Sequence, residues 1–481
     1  MISTVAGRAG QIGASVLTLA VLAACAPLGP NYQRPEPLSA ATTEGTARSL
    51  PSQYKETAAL ANTLLKPASI APVSATDWWK PFADSKLDTL MLQVAKANQN
   101  VAQAEAKYRQ AIATTQQAQA ARFPTLGTNA SATRSSQATN GVRTTAQSLS
   151  AGLAASWELD LWGRVRRSIE SGDASAAASA ADLAATTLSL QAQLATNYGA
   201  LRALDVQRGL LEDSVAAYQR SLQLTKNRYE AGVVAKSDVA QAQSQLLSSQ
   251  AQLIDTGAQR ATLEHAIAVL TGRPPSELTI ARVDGYPLTL PAVAASVPSE
   301  LLQRRPDIAA AERRMAAANA QIGIAIAAYY PTISLSGSLG QRGSTLADLF
   351  SLPNRFWSVG PALALSLFDG GARDASKAQS QASYDQTVAG YRQTILTAIQ
   401  EVEDNLSTLR ILAEELVVQQ QAVQAAQEAL AIALNQYKAG TISFLNVATA
   451  QTAEYSARRT ELGLRSQQFS ATVALLKALG G

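Results

Sequence analysis

The sequence predicts a mainly α-helical chain with a membrane β part, built from two similar halves. Long segments without proline carry apolar residues at helical spacing. Shorter segments alternate apolar and small polar residues, a pattern typical of membrane strands. The order of these segments occurs twice along the 481 residues, which indicates an internal repeat.

The N-terminus, up to Cys25, has the form of a secretory signal that ends at a lone cysteine. Arg8 is the only charged residue before Cys25, and a mainly apolar, uncharged run covers residues 12–24. This run is too short to span a bilayer stably. Its end, Leu-Ala-Ala before Cys25, resembles the lipobox of bacterial lipoproteins, whose cysteine is acylated after the signal is cut. We therefore expect a signal peptide at 1–24 and a covalent lipid on Cys25. Since Ala26 and not Asp follows, we expect the outer membrane.

Composition excludes several classes of function. The chain has one cysteine and one histidine, His265, which excludes an internal disulfide and histidine-cluster metal sites. Lysine and arginine number 40 against 36 acidic residues, so no nucleic-acid partner is expected. The carboxylates at 401–404 are interpreted as a solvated helix face rather than an acid/base site. We predict no catalytic residue, no metal and no cofactor besides the lipid, and therefore no enzyme.

Proline separates an extended N-terminal region from long helices. Eight of the 18 prolines lie in residues 1–81, whereas none lies between Pro124 and Pro274 or after Pro361. Within the proline-free segments, apolar residues recur every three or four positions, as in Leu194, Tyr198 and Leu201. Sixty-odd residues in one helix would span about 100 Å, a length that favours coiled-coil packing.

Four segments between the helices alternate as membrane strands do. Residues 148–161 place leucine, alanine and tryptophan on one face and mainly serine, glycine and acidic residues on the other. Similar alternation covers 332–339 and 357–367, and a weaker example covers 125–134. Because open sheet edges cannot face lipid and single-chain barrels need at least eight strands, several copies would have to pool their strands.

The internal repeat is visible at equivalent turns and prolines. NRYEAG at 227–232 returns as NQYKAG at 435–440, and Phe-Pro-Thr at 123–125 returns as Tyr-Pro-Thr at 330–332. Each half is therefore predicted to contain the same elements in the same order. They are a helix, aromatic-Pro-Thr, a non-helical stretch, a long helix, a Tyr-x-Ala-Gly turn and a further helix.

The whole mature chain resembles outer-membrane factors of the TolC/OprM type, in particular their NodT lipoprotein branch, which serves RND pumps. The resemblance is carried by the lipobox, the duplicated halves and a series of motifs. These motifs are CAPLGPNYQRP at 25–35, DWWKPF at 77–82, WELDLWG at 157–163, LLQRRPDI at 301–308 and FDGG at 368–371.

The resemblance implies a homotrimer whose protomers each give four strands to a 12-strand β-barrel in outer-membrane lipid, above a periplasmic α-helical barrel. The implied domains are a lipidated extended segment, two structural repeats and a Pro-rich equatorial linker between them. Their predicted bounds are 25–80 for the extended segment, 81–272 for the first repeat with a hairpin about 123–162, 273–298 for the linker, and 299–481 for the second repeat with a hairpin about 330–369.

The resemblance also assigns roles to the two Tyr-x-Ala-Gly turns. Turns near 232 and 440 would be periplasmic tips that contact an adaptor protein, which joins an inner-membrane RND pump. The residues expected there are Tyr229, Gly232, Tyr437 and Gly440.

In the family, acidic side chains just after the second tip, one from each copy, often form a ring around the closed aperture. Here the matching positions are Asn446 and Thr449, neither of which is acidic. Asp238, after the first tip, could supply the negative ring instead. Three carboxylates converging on an axis would attract cations and narrow the pore electrostatically. A solvated residue at the tip is the alternative for Asp238.

The expected function is a passive exit duct that carries drugs and small toxic compounds across the outer membrane. Two alternatives remain open from the sequence. One is the outer-membrane component of a type I protein-secretion system. The other is a periplasmic coiled-coil lipoprotein adaptor without a pore.

Overall fold

The computed structural model describes residues 27–37, 50–56, 77–288, 290–291 and 298–481. The predicted signal peptide and Cys25 lie outside the described residues. Nine helices and four strands have both ends within the described ranges, which also contain short 3-10 turns and the helical residues Lys55 and Glu56. In chain order they are α1 Ser85–Ala97, α2 Gln99–Ala120, β1 Thr125–Thr139, β2 Val142–Leu159, α3 Arg164–Glu230, α4 Lys236–Leu270, α5 Pro298–Arg304, α6 Pro306–Ala327, β3 Thr332–Gly343, α7 Leu346–Leu349, β4 Arg355–Ala364, α8 Ala372–Ala439 and α9 Phe444–Ala478.

The chain divides into two compact units. Unit 1 takes its described residues from Met1–Glu36, Ala106–Ala180 and Ala310–Arg392, and it contains the whole sheet. Unit 2 takes its described residues from Pro37–Glu105, Ala181–Ala309 and Gln393–Gly481, and it is helical apart from turns and connecting segments. The chain is therefore mainly α-helical with one small sheet, as the sequence predicts.

The sheet of unit 1 is antiparallel, with strand order β1-β2-β3-β4. Asn140 and Gly141 both have positive φ and form the two-residue turn between β1 and β2, as expected of an Asn-Gly hairpin. The two halves of the chain meet at β2 and β3, which pair from Leu149↔Gly343 to Leu159↔Ile333. This order leaves β1 and β4 as the edges of the sheet within one chain.

Two strands differ from the pattern seen in the sequence. β1, the weakest of the four predictions, is 15 residues long and pairs with β2 along its whole length. The alternation at 357–367 predicts that the fourth strand continues to residue 367, which is wrong. The strand ends at Ala364, which pairs with Thr332, the first residue of β3, so the residues beyond it have no partner strand.

The sheet exposes an apolar row on one face. Leu153, Leu339 and Trp357 lie directly opposite one another on neighbouring strands. All three are exposed, and Trp357 retains 75% of its accessible surface. The other face carries hydroxyl pairs, such as Ser131 and Ser150 with their oxygens 2.8 Å apart. Such an apolar row is unfavourable in water and favourable against hydrocarbon.

Side chains on the helices of unit 1 hold the extended segment at 27–35 by hydrogen bonds to its main-chain carbonyl oxygens. Arg167, whose side chain is almost completely buried, donates to the carbonyl oxygens of Leu28 and Gly29 at 3.0 and 3.1 Å. Asn319 donates to the carbonyl of Pro30 at 2.9 Å. Gly29 has a φ of 90° and lies so close to Gly323 that a Cβ on Gly29 would be 2.6 Å from the Gly323 Cα. We call residues 27–35 the N-terminal strap.

A buried ion network in unit 2 holds the connecting segment after Leu270. Asp205 is completely buried and accepts from Arg202 at 3.0 Å and from Arg260 at 2.8 Å. The same two guanidinium groups donate to the main-chain oxygens of Ala281 and Ile280. Each buried charge thus has a counter-charge and hydrogen-bond partners, which offset its desolvation.

The prediction that the carboxylates at 401–404 form a solvated helix face is partly wrong. Glu401 pairs with the buried Arg305 at 2.7 Å. Glu403 accepts from the backbone N–H groups of Lys55 and Glu56 at 2.7 and 3.1 Å, as a carboxylate at a helix start does. Only Asp404 is exposed. The sequence pattern could not reveal partners so distant along the chain.

No helix in the described part of the chain has the length and apolar character needed to cross a bilayer.

Asp84 joins the start of α1 to two tyrosines of unit 2. One carboxylate oxygen accepts from the N–H groups of Lys86 and Leu87 at 2.8 and 3.0 Å. The other accepts from the hydroxyls of Tyr198 and Tyr286 at 2.7 and 2.8 Å. Burial, the largest single effect, raises the pKa of Asp84. The four hydrogen bonds together outweigh it and hold the pKa below its usual 3.8.

We predict that Asp84 stabilises the fold in a pH-dependent manner. Because its pKa is lower in the folded state than in the unfolded state, this stabilisation is complete above the unfolded value of 3.8 and is lost as pH falls through the folded value. Asp84→Asn keeps the cap but loses the charge, at a cost of about 1–2 kcal/mol at neutral pH. The difference in apparent melting temperature between wild type and variant, measured in detergent, should shrink at the acid end of a pH 7 to 3 series. Asp213→Asn, at an exposed carboxylate of α3, is the control. A difference that does not change with pH would contradict this role.

Candidate functional site

Both predicted tips are glycine-terminated turns between two long helices of unit 2. At the first, Gly232 has a φ of 71°, and the N–H groups of Gly232 and Val233 donate to the carbonyls of Tyr229 and Arg228. At the second, Gly440 has a φ of 81°, and the same pair of bonds runs from Gly440 and Thr441 to Tyr437 and Gln436. These are Schellman motifs, in which a left-handed residue closes the helix end. Both turns thus require the glycine that the repeat supplies.

The two equivalent tyrosines differ in environment. Tyr229 is 44% exposed, whereas Tyr437 is 1% exposed. The Tyr437 hydroxyl lies 3.0 Å from the Thr225 hydroxyl, and its ring packs edge-on against Phe444 at 5.8 Å. The Tyr437 side chain is enclosed by its own chain, so of the two tyrosines predicted to contact an adaptor only Tyr229 presents its side chain at the surface. Tyr437 instead positions the turn.

Arg228 links the two turns. Its guanidinium carbon lies 4.6 Å from the centre of the Tyr437 ring, and Nη1 donates to the Tyr437 carbonyl oxygen. A cation over an aromatic face contributes about 0.5–2 kcal/mol, depending on how far it is desolvated. The C-terminal end of α3 is thus fixed to that of α8. The sequence analysis missed this residue, although its equivalent in the repeat is the uncharged Gln436, and that difference could have indicated it.

An apolar cluster lies beneath the turns and sets their separation. α3 contributes Val215, Tyr218 and Leu222, and the other three helices complete the cluster with Ala242, Leu246, Tyr437, Phe444, Val447 and Ala448. At its edge, the Gln451 amide donates to the Ser221 hydroxyl at 2.9 Å. The four helix ends are therefore packed together within one chain.

The candidate aperture residues lie at the start of the helices that follow each turn. Asp238 is in the first turn of α4 and is half-buried. Asn446 and Thr449 lie at the start of α9, and both are exposed. The Thr449 hydroxyl donates to the carbonyl of Leu445, one turn earlier. Asp238 is thus the one carboxylate among the three candidates.

His265, the single histidine of the sequence, is exposed on α4. Within the described ranges, no group of three or more His, Cys, Asp or Glu side chains is arranged to hold a metal ion.

Known proteins are similar to this chain in sequence and in fold. The model of the family described as "Outer membrane efflux protein" matches residues 90–273 and 297–481. The pyoverdine export outer membrane protein OpmQ of Pseudomonas aeruginosa is 33% identical, over 97% of each chain. This chain belongs to the outer membrane efflux protein family. The probable efflux pump outer membrane protein TtgC of Pseudomonas putida is 32% identical over 97% of this chain and 95% of its own. The solved outer-membrane channel OprN superposes with a TM-score of 0.85 at 32% identity, over 94% of this chain and 99% of its own.

Membership of this family establishes the cellular location of the protein and its class of activity. It is an outer-membrane efflux channel, and its family is one of channel proteins. The exposed apolar row of the sheet is the surface that an outer-membrane location explains, because hydrocarbon is its favourable environment.

We predict that Gly440 is less tolerant of substitution than Gly232. Both have positive φ, so any side chain costs about 1–2 kcal/mol. A Cβ at Gly440 would also lie 3.3 Å from Arg228 Nη2, whereas a Cβ at Gly232 meets nothing within 4 Å. Gly440→Val should therefore displace Arg228, distort the tip and lower efflux without blocking assembly, and Gly232→Val should have the smaller effect. Dye accumulation and native gels would measure the two outcomes. Equal effects of both variants, or unchanged efflux in Gly440→Val, would contradict the tip assignment.

Proposed function

We propose that this channel is the exit duct of a tripartite RND-type efflux pump. It would passively conduct drugs and small toxic compounds that a periplasmic adaptor and an inner-membrane RND pump deliver to it. The observation that carries the proposal is the pairing of an open sheet, apolar on one face, with two long helical hairpins that end in glycine turns. The hairpins provide length and the turns provide ends at which a partner can dock.

The edges of the sheet support a homotrimer, which is the assembly that we propose. Among the described residues, no strand of the same chain pairs with the outer backbone groups of β1 and β4. In lipid such groups must be paired. Three copies joined edge to edge give a closed barrel of 12 strands, well above the minimum of eight. Each protomer would consist of two structural repeats, at 81–272 and 299–481, joined by the linker at 273–298.

A lipid anchor on Cys25 is the second part of the proposal. Residues 1–24 would be removed as a signal peptide, and the acylated cysteine would enter outer-membrane lipid. Each buried methylene contributes roughly 0.8 kcal/mol, so several acyl chains form a firm anchor. No cofactor besides this lipid is proposed.

The turns would be the contact with the adaptor, through the exposed Tyr229, Gly232 and Gly440. Asp238 would supply the negative ring of the closed aperture in place of Asn446 and Thr449. Three copies of Asp238 around one axis would repel one another and attract cations.

Accumulation of dyes and antibiotics in a deletion strain tests the main proposal. We expect accumulation to rise on deletion and to return to its original level when the wild-type gene is restored. An unchanged small-molecule profile together with a changed exported proteome would point to type I secretion. A monomer without conductance in lipid would indicate a periplasmic adaptor without a pore.

Cys25→Ser in the same strain separates the anchor from the channel. The variant should lose incorporation of labelled palmitate and fractionate less firmly with the outer membrane. It should keep part of its efflux activity because the sheet also holds the protein in lipid. Labelling that persists in Cys25→Ser would disprove the assigned lipidation site.

The Asp238 ring makes a separate prediction for single-channel recordings. Asp238→Asn keeps the shape of the side chain and removes its charge, so block by divalent cations should weaken. Asp255→Asn, at an exposed carboxylate farther along α4, is the matched control and should leave the block unchanged. A block of equal strength in Asp238→Asn would remove Asp238 from the aperture.

A further inference from the structure

One face of the sheet changes from apolar to polar near the edge at which β1 ends and β4 begins. This edge lies opposite to the strand ends that continue into α2, α3, α6 and α8, and we call it the turn edge. Since side chains alternate along a strand, every second residue from the row Leu153, Leu339 and Trp357 lies on the same face. Towards the turn edge this face carries Arg134 on β1 and Arg355 on β4, and both side chains are exposed.

The polar residues at this change form two directly opposed pairs. Arg134 pairs with Gln147, and Gln341 pairs with Arg355. We call these four residues the polar border. Guanidinium and amide groups both offer N–H donors to an anion. On each strand the residue two positions before the border, on the same face, is apolar. These four residues are Ala132, Leu149, Leu339 and Trp357.

The two arginines of the border are staggered along the strands. The residue of β1 in register with Arg355 is Ala130, and Arg134 is four positions beyond it, or about 13 Å along the strand. β1 and β4 are three strand spacings apart, or about 14 Å. In a barrel whose strands tilt by about 35–45°, a line of constant height moves by about 10–14 Å along the strands over that width. The stagger therefore brings the two arginines to about the same height.

The other limit of the apolar face is staggered in the same direction. Leu126 on β1 is in register with Ala155 of β2, whereas Leu363 on β4 is in register with Leu159, four positions farther from the turn edge. The apolar face is thus a band of constant width that crosses the strands obliquely. This is the form that a layer of hydrocarbon requires around tilted strands, with the polar border along one side of it.

Positive charge dominates the turn edge. Four arginines lie in residues 125–157 and 332–364, and they are Arg134, Arg143, Arg342 and Arg355. By register, all except Arg342 lie on the apolar face. Arg342 is on the opposite face, with its guanidinium carbon 5.3 Å from the centre of the Phe356 ring.

The arginines of the polar border have no counter-charge within the described part of the chain. Asp348 is the single carboxylate in the same two ranges, and it accepts from the hydroxyls of Ser344 and Thr345 at 3.1 and 2.8 Å. Neither Arg134 nor Arg355 forms an ion pair with a described residue. Unpaired guanidinium groups beside an apolar band match a lipid whose headgroup is anionic.

We infer that the polar border binds the phosphate groups of a glycolipid in the outer leaflet of the outer membrane. The planar guanidinium group donates two parallel hydrogen bonds to a phosphate, and the glutamine amides can donate to the sugar that carries it. The acyl chains would lie along the apolar band beside Trp357, a residue type that favours the boundary between hydrocarbon and headgroups. The inference rests on the proposed barrel and adds to it the class of lipid and the residues that hold it.

In the proposed trimer the two arginines of one site come from different copies. β4 of one copy would neighbour β1 of the next, which places Arg355 and Arg134 on adjacent strands at about the same height. Like charges on adjacent strands repel one another. A phosphate between them would remove this repulsion, so the lipid should also stabilise the contact between copies.

Titration of purified trimers with lipid A tests the site. Lipid A with two phosphates and the same lipid after removal of its phosphates would be the two probes, with bound lipid counted by native mass spectrometry. We expect the wild type to bind the phosphorylated form at least tenfold more tightly, because a hydrogen bond to a charged group contributes about tenfold or more in affinity. Phosphorylated lipid A should also raise the melting temperature of the trimer.

Arg134→Gln combined with Arg355→Gln should lose most of this preference for phosphorylated lipid A and its effect on melting. Arg342→Gln is the matched control, since it removes an arginine from the same edge but from the opposite face. The control should bind lipid A as the wild type does. Each single variant, titrated in the same way, should show about a tenfold loss of affinity, which keeps the test decisive if the double variant does not assemble.

The outcomes separate this inference from the proposed function. Equal affinity for both forms of lipid A would assign binding to the acyl chains and overturn the inference. Unchanged affinity in the double variant and in both single variants would overturn it as well. Inorganic phosphate that displaces lipid A at equal concentration would assign the arginines to a soluble anion, with the same consequence. In these cases wild-type trimers that conduct ions and restore dye efflux would leave the exit duct intact. A wild-type protein that is monomeric in the membrane would contradict the barrel itself, and with it the inference.

Discussion

Unpaired backbone groups along the edges of the sheet are the constraint on which the organisation of this protein depends. Four strands cannot seal themselves in lipid, which is why we propose that copies share their edges. The apolar row across β2, β3 and β4 adds a second requirement, because it needs hydrocarbon on its outer side. Helices pair their backbone groups internally, so the helical segments do not need a partner for this purpose.

The two turns between the long helices are similar in geometry, and the differences between them mark specialised positions. The two turns use the same glycine-terminated geometry. Their surroundings differ because Tyr437 is enclosed by Thr225 and Phe444, whereas Tyr229 faces outward. Arg228 and its counterpart Gln436 differ in charge, and only the arginine joins the two hairpins. The first turn thus supplies the side chain that joins the two hairpins, and the second turn supplies its partner, Tyr437.

Features with a local cause were predictable from the sequence. The spacing of Leu194, Tyr198 and Leu201 predicted the buried stripe of α3, and glycine after Tyr-x-Ala predicted both turns. β1 was hard to recognise because Thr, Ser and Ala vary little in polarity, and its pairing with β2 defines it. The partners of Arg228 and Glu403 could not be assigned from the sequence, since they lie 209 positions away for Arg228 and 347 and 348 positions away for Glu403. Long-range contacts between polar side chains leave no periodic signal.

The Asn-Gly turn between β1 and β2 makes the channel a natural display scaffold. It joins the strand ends opposite to those that continue into the helices, and a Cβ at Gly141 would meet no atom within 4 Å. In the proposed barrel, with the helices in the periplasm, these ends would face the surroundings of the cell. Short peptides grafted between Asn140 and Gly141 would extend the hairpin without disturbing the register of its paired positions. An antibody raised against such a graft could mark live cells that carry an assembled duct.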